Sequence, residues 1–494
     1  MQFFQWDSGD LNISWWKHLE NEIPELASMG FTHVWIPPPN KAMSSSGRGY
    51  DAYDLWDLGE FQQGGGLATR WGNKQELLDA CATAQKFGIS IIMDAVLNHK
   101  LGGDRTEVVK AIPVEEENRL VESGPPIEIE WWTAFDFPGR NNQYSDFKWT
   151  QEHFTGVDRD LRSQRDRIYK FCGEGHKGWS LKVDTERGNY DYLLGCDIDH
   201  SHPDTRQDLI KWGSWVLETT GASGFRLDAI KHIDSDFTTE FLRQVRRTRR
   251  GAEMFAVGEY WNGSAETLEH QIKVYKKQIS LFDVALHYQF HHASKYGSSY
   301  DLRGILHESL VRRKPEFAVT FVDNHDTQPG QSLESWIDPT FKLQAYALIL
   351  LRPNGLPCVF YGDLYPNQSL YDPSVASGLR KLIRARQSYA FGPIRDYTTD
   401  SPNCIGFVRM GKAKTRDTDC AVVISNGDPA GDEFIISMNV GTARAGLVYR
   451  DIFGLSGDVT ISRDGWGSFR GPASGVAVWT THIVEHASRG RSLG

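Results

Sequence analysis

The sequence predicts an α/β fold: a (β/α)8 TIM barrel with a mostly β domain inserted after strand 3 and a C-terminal antiparallel β-sandwich domain. Three observations predict it. Short, nearly continuous apolar runs alternate with amphipathic helical segments, which is how parallel strands covered on both faces read. Between about residues 100 and 203 a polar stretch rich in Gly, Asp and aromatics interrupts the alternation; it is too long for an ordinary loop. Beyond about residue 392, short strand-like runs are separated by Gly, Asp and Asn turns.

Seven runs read as barrel strands: Phe31–Ile36, Ile89–Val96, Gly224–Ile230, Met254–Tyr260, Phe282–His287, Phe317–Asp323 and Pro357–Gly362. Ala52–Trp56 is the weaker candidate for the eighth strand that closure requires. Among the helices, Asn73–Phe87 places Leu77, Leu78, Cys81 and Ala84 on one stripe and Gly88 stops it. Asp204–Thr219 aligns Leu209, Trp212 and Val216, with Pro203 before it and Gly221 after. Ser235–Arg250 carries Phe237, Phe241 and Val245. The C-terminal strands are Cys404–Val408, Cys420–Ser425, Phe434–Val440, Val459–Ser462 and Val476–Thr480. The expected division is 1–100 with 204–391 for the barrel, 101–203 for the insert and 392–494 for the C-terminal domain.

The 494 residues carry 54 Lys+Arg against 64 Asp+Glu, a net charge of −10. That excludes a nucleic-acid binder, which needs a basic face. No apolar run approaches the roughly 18 residues of a membrane span. Met1 to Leu11 has no basic segment followed by an apolar one, so a cytoplasmic protein is expected, with a secreted mature form as the alternative. The six cysteines form no CxxC pair and read as scattered thiols, neither a disulfide framework nor a zinc site. A monomer is expected. Aromatics make up 12% of the chain; most fill a core, and some can line a groove where flat rings meet sugar faces.

Several apolar runs end alike: Asp94 to Asn98-His99, Arg226-Leu227-Asp228 to Lys231-His232, Glu259-Tyr260-Trp261, and His325-Asp326. Barrel enzymes place their chemistry at the C-terminal ends of strands. One carboxylate after a strand is commonly a helix cap. Carboxylates at four strand ends, beside three histidines, are costly to desolvate unless function demands it. Arg226 lies two residues before Asp228 on one strand, so both side chains share a face, and its cation favours the ionised form of that carboxylate.

On these four segments, and on their order and spacing (Asp94 to Asp228, Asp228 to Glu259, Glu259 to Asp326), the chain resembles the alpha-amylase family of retaining glycoside hydrolases, and within it the liquefying type, over nearly its whole length. The resemblance implies that Asp228 is the nucleophile, Glu259 the acid and then base, and Asp326 a third carboxylate that hydrogen-bonds sugar hydroxyls. Retention needs the first two about 5–5.5 Å apart. His99 and His325 are implied to bond hydroxyls of the sugar at the cleavage point and Tyr53 to stack on it. Lys231, His232 and Trp261 border the leaving-group side, and Trp131, Trp132 and Trp149 wall the groove from the insert. The implied partner is an alpha-glucan (starch, glycogen, maltooligosaccharides). The implied cofactor is Ca2+, held by Asn98, Asp191, Asp197 and the His232 carbonyl, oxygen ligands of the kind calcium takes. Asp158 and Asp199 match a second metal site, but Ser180 and Ser201 stand where its further acids are expected, so additional Ca2+ or Na+ is not expected to bind tightly. Pro402, Asn403 and Asn426 likewise replace the ligands of a further calcium. The reading is an endo-acting alpha-1,4-glucan hydrolase. A transglycosylase on the same site and an inactive glucan-binding protein are the alternatives; the second is disfavoured because Asp228, Glu259, Asp326 and Arg226 are all present.

Overall fold

A computed structural model describes residues 1–9, 12–248, 253–366, 370–412 and 417–481. Its largest sheet has seven strands in the order His33–Ile36, Ser90–Ala95, Gly224–Leu227, Phe255–Gly258, Ser280–Phe282, Ala318–Phe321 and Leu356–Cys358. From His33–Ile36 to Ala318–Phe321 the strands pair in parallel, and their register sets Arg226 level with Asp94 on one side and with Val257 on the other.

The further parallel strand is not Ala52–Trp56. The N-terminal segment supplies it: Gln2 bridges Trp35 in parallel, Phe3 N donates to Trp35 O at 2.8 Å, and Trp35 N donates to Met1 O at 2.8 Å. Met1, Phe3 and Phe4 are buried, as a covered strand requires. Ala52–Asp54 is a strand, but it pairs antiparallel with Lys41–Ala42 across a register shift. Asp54 there accepts Arg140 Nε and Gln63 Nε2, each at 2.8 Å, so this strand serves a buried polar network. The run Phe282–His287 also divides. The strand ends at Phe282 and a helix begins at Val284.

By compactness the chain forms two units, Met1–Val284 with Phe317–Val319, and Ala285–Glu316 with Thr320–Gly494. In the first, Lys74–Lys86 starts with a reciprocal Asn73/Glu76 capping box, which satisfies two otherwise orphaned backbone donors. Pro203–Thr220 has proline in its first turn and ends on Gly221 at φ +70°, the left-handed stop that glycine tolerates best. Ser235–Thr248 is helical; Arg250, where the sequence placed its end, lies outside the described residues. The inserted stretch folds as a six-stranded sheet in the order His99–Lys100, Cys196–Ile198, Phe154–Asp160, Arg165–Phe171, Arg105–Pro113 and Ile127–Ala134. His99 pairs with Asp197, and Lys100 with Cys196, so the chain leaves and re-enters the parallel sheet through one short ladder. Trp149 does not wall a groove. It is buried and packs on Phe154 with ring centroids 5.6 Å apart. Trp132 is exposed.

The second unit holds an antiparallel sheet in the order Ile394–Thr398, Cys404–Arg409, Cys420–Asn426, Ser474–Thr480, Val448–Asp451 and Val459–Thr460, and a ribbon of Phe434–Asn439 with Trp466–Gly471. Val423, Met438, Tyr449, Phe469 and Trp479 form its core. Residues 482–494, at the end of the expected C-terminal domain, lie outside the described residues. Among the described residues no helix is long and apolar enough to cross a membrane.

Candidate active site

Arg226 is the hub of the site in the first unit. It is fully buried, and parallel pairing on both sides puts the ends of three neighbouring strands within its reach. Nη1 donates to Asp94 Oδ1 at 2.7 Å and to Asp228 Oδ1 at 2.6 Å. Nη2 makes an ion-pair contact with Glu259 Oε2 at 2.7 Å. Burial opposes the guanidinium charge, yet Asp94, Glu259 and Asp228 together hold its pKa above the ordinary arginine value.

Three buried carboxyls around one cation cannot all ionise cheaply. Asp94 also accepts Trp35 Nε1 at 3.0 Å and the Tyr50 hydroxyl at 2.7 Å. Burial raises its pKa and the Asp228 charge adds to the rise, while Arg226 and the Tyr50 hydrogen bond act against it. Glu259, at the next strand end, has its pKa raised as well. Burial raises its pKa first of all, Arg226 pulls it back, and the Asp228 charge raises it further. Its fixed contacts use Oε2, which also accepts Ala229 N at 3.0 Å, so Oε1 is left to carry a proton. Ala229 sits at φ +47°. Strain of this kind in a non-glycine residue persists where surrounding structure enforces it, commonly at functional sites.

Tyr53 does not occupy the position the sequence suggested. Its side chain is 3% exposed, its hydroxyl donates to Asp104 at 2.7 Å, and its ring packs edge-on against Phe137 at 5.3 Å. No ring face is free for a sugar. Tyr50, three residues earlier, is half-buried. Its hydroxyl reaches Asp94, its ring lies 5.9 Å from the Arg226 guanidinium, and its carbonyl meets His99 Nε2 at 2.8 Å. His99 is buried and its pKa is lowered to about 4, mainly by burial, so it is neutral. We expect Tyr50→Phe to lower kcat roughly tenfold or more, since a hydrogen bond to a charged group is worth ~1.5–3 kcal/mol. Tyr53→Phe should change it less than threefold. Steady-state kinetics on maltoheptaose check both.

Beside Glu259, Lys231 Nζ pairs with Glu186 at 2.8 Å, reaches Trp261 O at 3.3 Å and lies over the Tyr190 ring. His232 is buried with Nδ1 at 2.7 Å from Tyr190 O, and its pKa is lowered to about 3, chiefly by burial. In the second unit, His325 Nε2 lies 3.2 Å from Asp326 Oδ2. The turn that carries them is tied down. Asn324 Oδ1 accepts Asp326 N at 2.8 Å and Thr327 N at 2.9 Å, and Thr327 Oγ1 donates to Asp323 at 3.0 Å. Lys342 lies 2.8 Å from Asp323 Oδ2.

Residues 7–367 match the family described as alpha amylase, catalytic domain. The chain belongs to the alpha-amylase family. Residues 435–480 match the alpha-amylase C-terminal family. An alpha-amylase of Geobacillus stearothermophilus is 44% identical over 97% of this chain and 86% of its own length. A cytoplasmic alpha-amylase of Escherichia coli (strain K12) is 37% identical over 98% of this chain and 99% of its own. The crystal structure of an alpha-amylase from Geobacillus thermoleovorans, complexed with acarbose, superposes with a TM-score of 0.62 at 17% identity over 97% of both chains. This chain is accordingly an alpha-amylase-family glycoside hydrolase.

Of the residues that the family resemblance assigned to calcium, Asn98 and Asp197 lie where the insert's short ladder meets the parallel sheet. Asn98 Nδ2 lies 3.5 Å from Asp197 Oδ1, and Asn98 Oδ1 is buried with no hydrogen-bond partner. Asp191 and Asp197 are buried, and both pKa values are raised far above the carboxylate range, first by burial; at Asp197 the Asp191 charge adds to the rise. An orphaned buried oxygen beside two desolvated carboxyls is a donor set suited to a hard cation. Among the described residues no group of three or more His, Cys, Asp or Glu side chains is gathered to hold a metal, so carbonyl and amide oxygens must complete any such site. At the second site, Asp199 Oδ1 caps Ser201 N at 2.7 Å, Asp158 Oδ2 lies 3.4 Å from Gly195 N, and Lys177 Nζ reaches Ser201 Oγ at 3.3 Å. In the second unit, Asn403 Nδ2 donates to Ser298 O at 2.8 Å and to Asn426 Oδ1 at 3.0 Å. Asn426 Nδ2 donates to Gly297 O at 2.7 Å and Tyr300 O at 2.9 Å. These carbonyls are thereby satisfied by amide donors.

Proposed function

We propose that this protein cleaves internal alpha-1,4-glucosidic bonds of starch, glycogen and maltooligosaccharides with retention of anomeric configuration. One observation carries the assignment: a single buried guanidinium contacts both Asp228 and Glu259, and the buried glutamate has its pKa raised. Asp228, ionised against Arg226, attacks the anomeric carbon as Glu259 gives its proton to the departing glycosidic oxygen. The sugar is left covalently on Asp228. Glu259, now ionised, takes a proton from water, and the resulting attack releases the sugar and frees Asp228. Tyr50 takes the stacking role beside the reacting sugar, Lys231, His232 and Trp261 border the leaving group, and His99, His325 and Asp326 bond sugar hydroxyls. The test is product analysis. Proton NMR of early maltoheptaose digestion should show the alpha anomer first, with several chain lengths released from soluble starch. A beta anomer, or products longer than the substrate as the main outcome, would overturn it.

Supported by the orphaned Asn98 Oδ1, one calcium ion is assigned to Asn98, Asp191, Asp197 and the His232 carbonyl. When bound it supplies charge compensation and rigidity rather than a reacting group. Mass spectrometry of the native protein should find one tightly held calcium per chain, and chelation should lower the temperature of thermal inactivation. Three tightly held ions would contradict the assignment. The domain limits 1–100 with 204–391, 101–203 and 392–494, a monomeric state and a cytoplasmic location complete the proposal.

A further inference from the structure

The first unit contains a cavity of about 180 Å3 that shares no lining residue with the Arg226 cluster. Its floor is Asp208 and Trp56. Asp208 is 7% exposed, and both its oxygens are engaged: Ser145 Oγ donates to Oδ1 at 2.7 Å and Trp56 Nε1 to Oδ2 at 3.2 Å. Tyr144 and Phe147 form an aromatic wall. Tyr144 is 38% exposed, and its ring is backed by Trp215 at 4.8 Å, itself 5.0 Å from Trp56. Lys74 Nζ holds the Tyr144 hydroxyl at 2.7 Å and lies 4.5 Å from its ring centroid. Around the opening stand Asp146, Asp204, Gln207 and Lys211, all exposed.

Solvated side chains at the start of an exposed helix are the plain reading of that rim. Two features go beyond it. The loop that presents Tyr144 is strained: Phe137, Asn141, Asn142 and Tyr144 all lie between φ +48° and +70°, a conformation that asparagine tolerates but that is costly for the two aromatic residues. The lining also combines apolar ring faces, a desolvated carboxylate and a rim of both donors and acceptors. Acids beside a lysine favour neither anions nor cations. They suit a neutral ligand whose hydroxyls both donate and accept and whose ring has an apolar C–H face that stacks on an aromatic.

We propose that this cavity is a second glucan-binding site, where a glucosyl unit of a long substrate stacks on Tyr144 and Phe147 and bonds to Asp146, Asp204, Gln207 and Lys211. The choice of glucan rests on the reading of the chain as an alpha-glucan hydrolase. Such a site anchors polymer without taking part in bond cleavage, so its effect falls on granular starch and spares short oligosaccharides.

The test compares wild type with Tyr144→Ala and with the double variant Gln207→Ala/Lys211→Ala, whose exposed positions preserve folding if the first variant loosens its loop. Each is measured for adsorption to starch granules in the cold and for cleavage of maltoheptaose. The expected result is adsorption weakened about tenfold, the loss of two or three hydrogen bonds or one stacking contact, with kcat/KM on maltoheptaose unchanged. Unchanged adsorption in both variants overturns the site. An equal loss on maltoheptaose also overturns it, because the cavity would then belong to the cleavage cleft. A wild type that adsorbs but cleaves nothing would instead refute the hydrolase reading.

Discussion

Glu259→Gln is expected to fold, to bind maltoheptaose within a few-fold of wild type and to cleave it at least ~10^3-fold more slowly, within the range of general acid catalysis. The amide keeps the shape of the side chain, and its oxygen can still accept Ala229 N and face Arg226. It has no acidic proton for the glycosidic oxygen and cannot take one from water. The same proton shapes the pH profile. Glu259 must start protonated, and burial together with Asp228 raises its pKa. Activity therefore persists above the ordinary glutamate range and is lost as pH rises through the raised value. Stopped-flow single-turnover rates and calorimetric binding separate the two effects. A cleavage rate within tenfold of wild type would remove Glu259 from the acid role.

Arg226→Met should be the most damaging single change in structural terms. It leaves Asp94, Asp228 and Glu259 buried around an apolar side chain, where each had been within 2.7 Å of the guanidinium. Stripping the partner from a buried charge costs about 3–5 kcal/mol, so the temperature of inactivation should fall by roughly 5–10 °C. Asp94, whose pKa burial already raises, takes up a proton and no longer orders Trp35 and Tyr50 as a carboxylate does. Arg226→Lys should recover part of the stability but little of the rate, because an ammonium cannot fork between three carboxyls. Unchanged thermal inactivation in Arg226→Met would show that the cluster does not depend on its cation.

The carboxyls gathered around Arg226 were legible because parallel strands are uniformly apolar and polar residues at their ends stand out: Asp228 and Glu259 follow such runs, and Asp94 sits next to the last residue of one. Arg226 was legible from alternation alone. Two features were not. Only a couple of residues at the N-terminus pair with the neighbouring strand, too few for a periodicity to show. Which tyrosine of Tyr50-Asp51-Ala52-Tyr53 faces the cluster is decided by long-range partners, Asp94 for Tyr50 and Asp104 for Tyr53, and no local pattern encodes those. Trp149 reads the same in composition whether it lines a groove or fills a core. Only its packing on Phe154 decides.

The amide pair Asn403 and Asn426 has a consequence for where this protein can persist. Carbonyls held by side-chain N–H donors keep their grip at any level of free divalent ion, whereas a mineral clasp lets go when its ion becomes scarce. A joint made this way is indifferent to sequestering agents and needs no ion supply during biosynthesis. The alternative lies very near in mutational terms, since asparagine and aspartate codons differ at a single base.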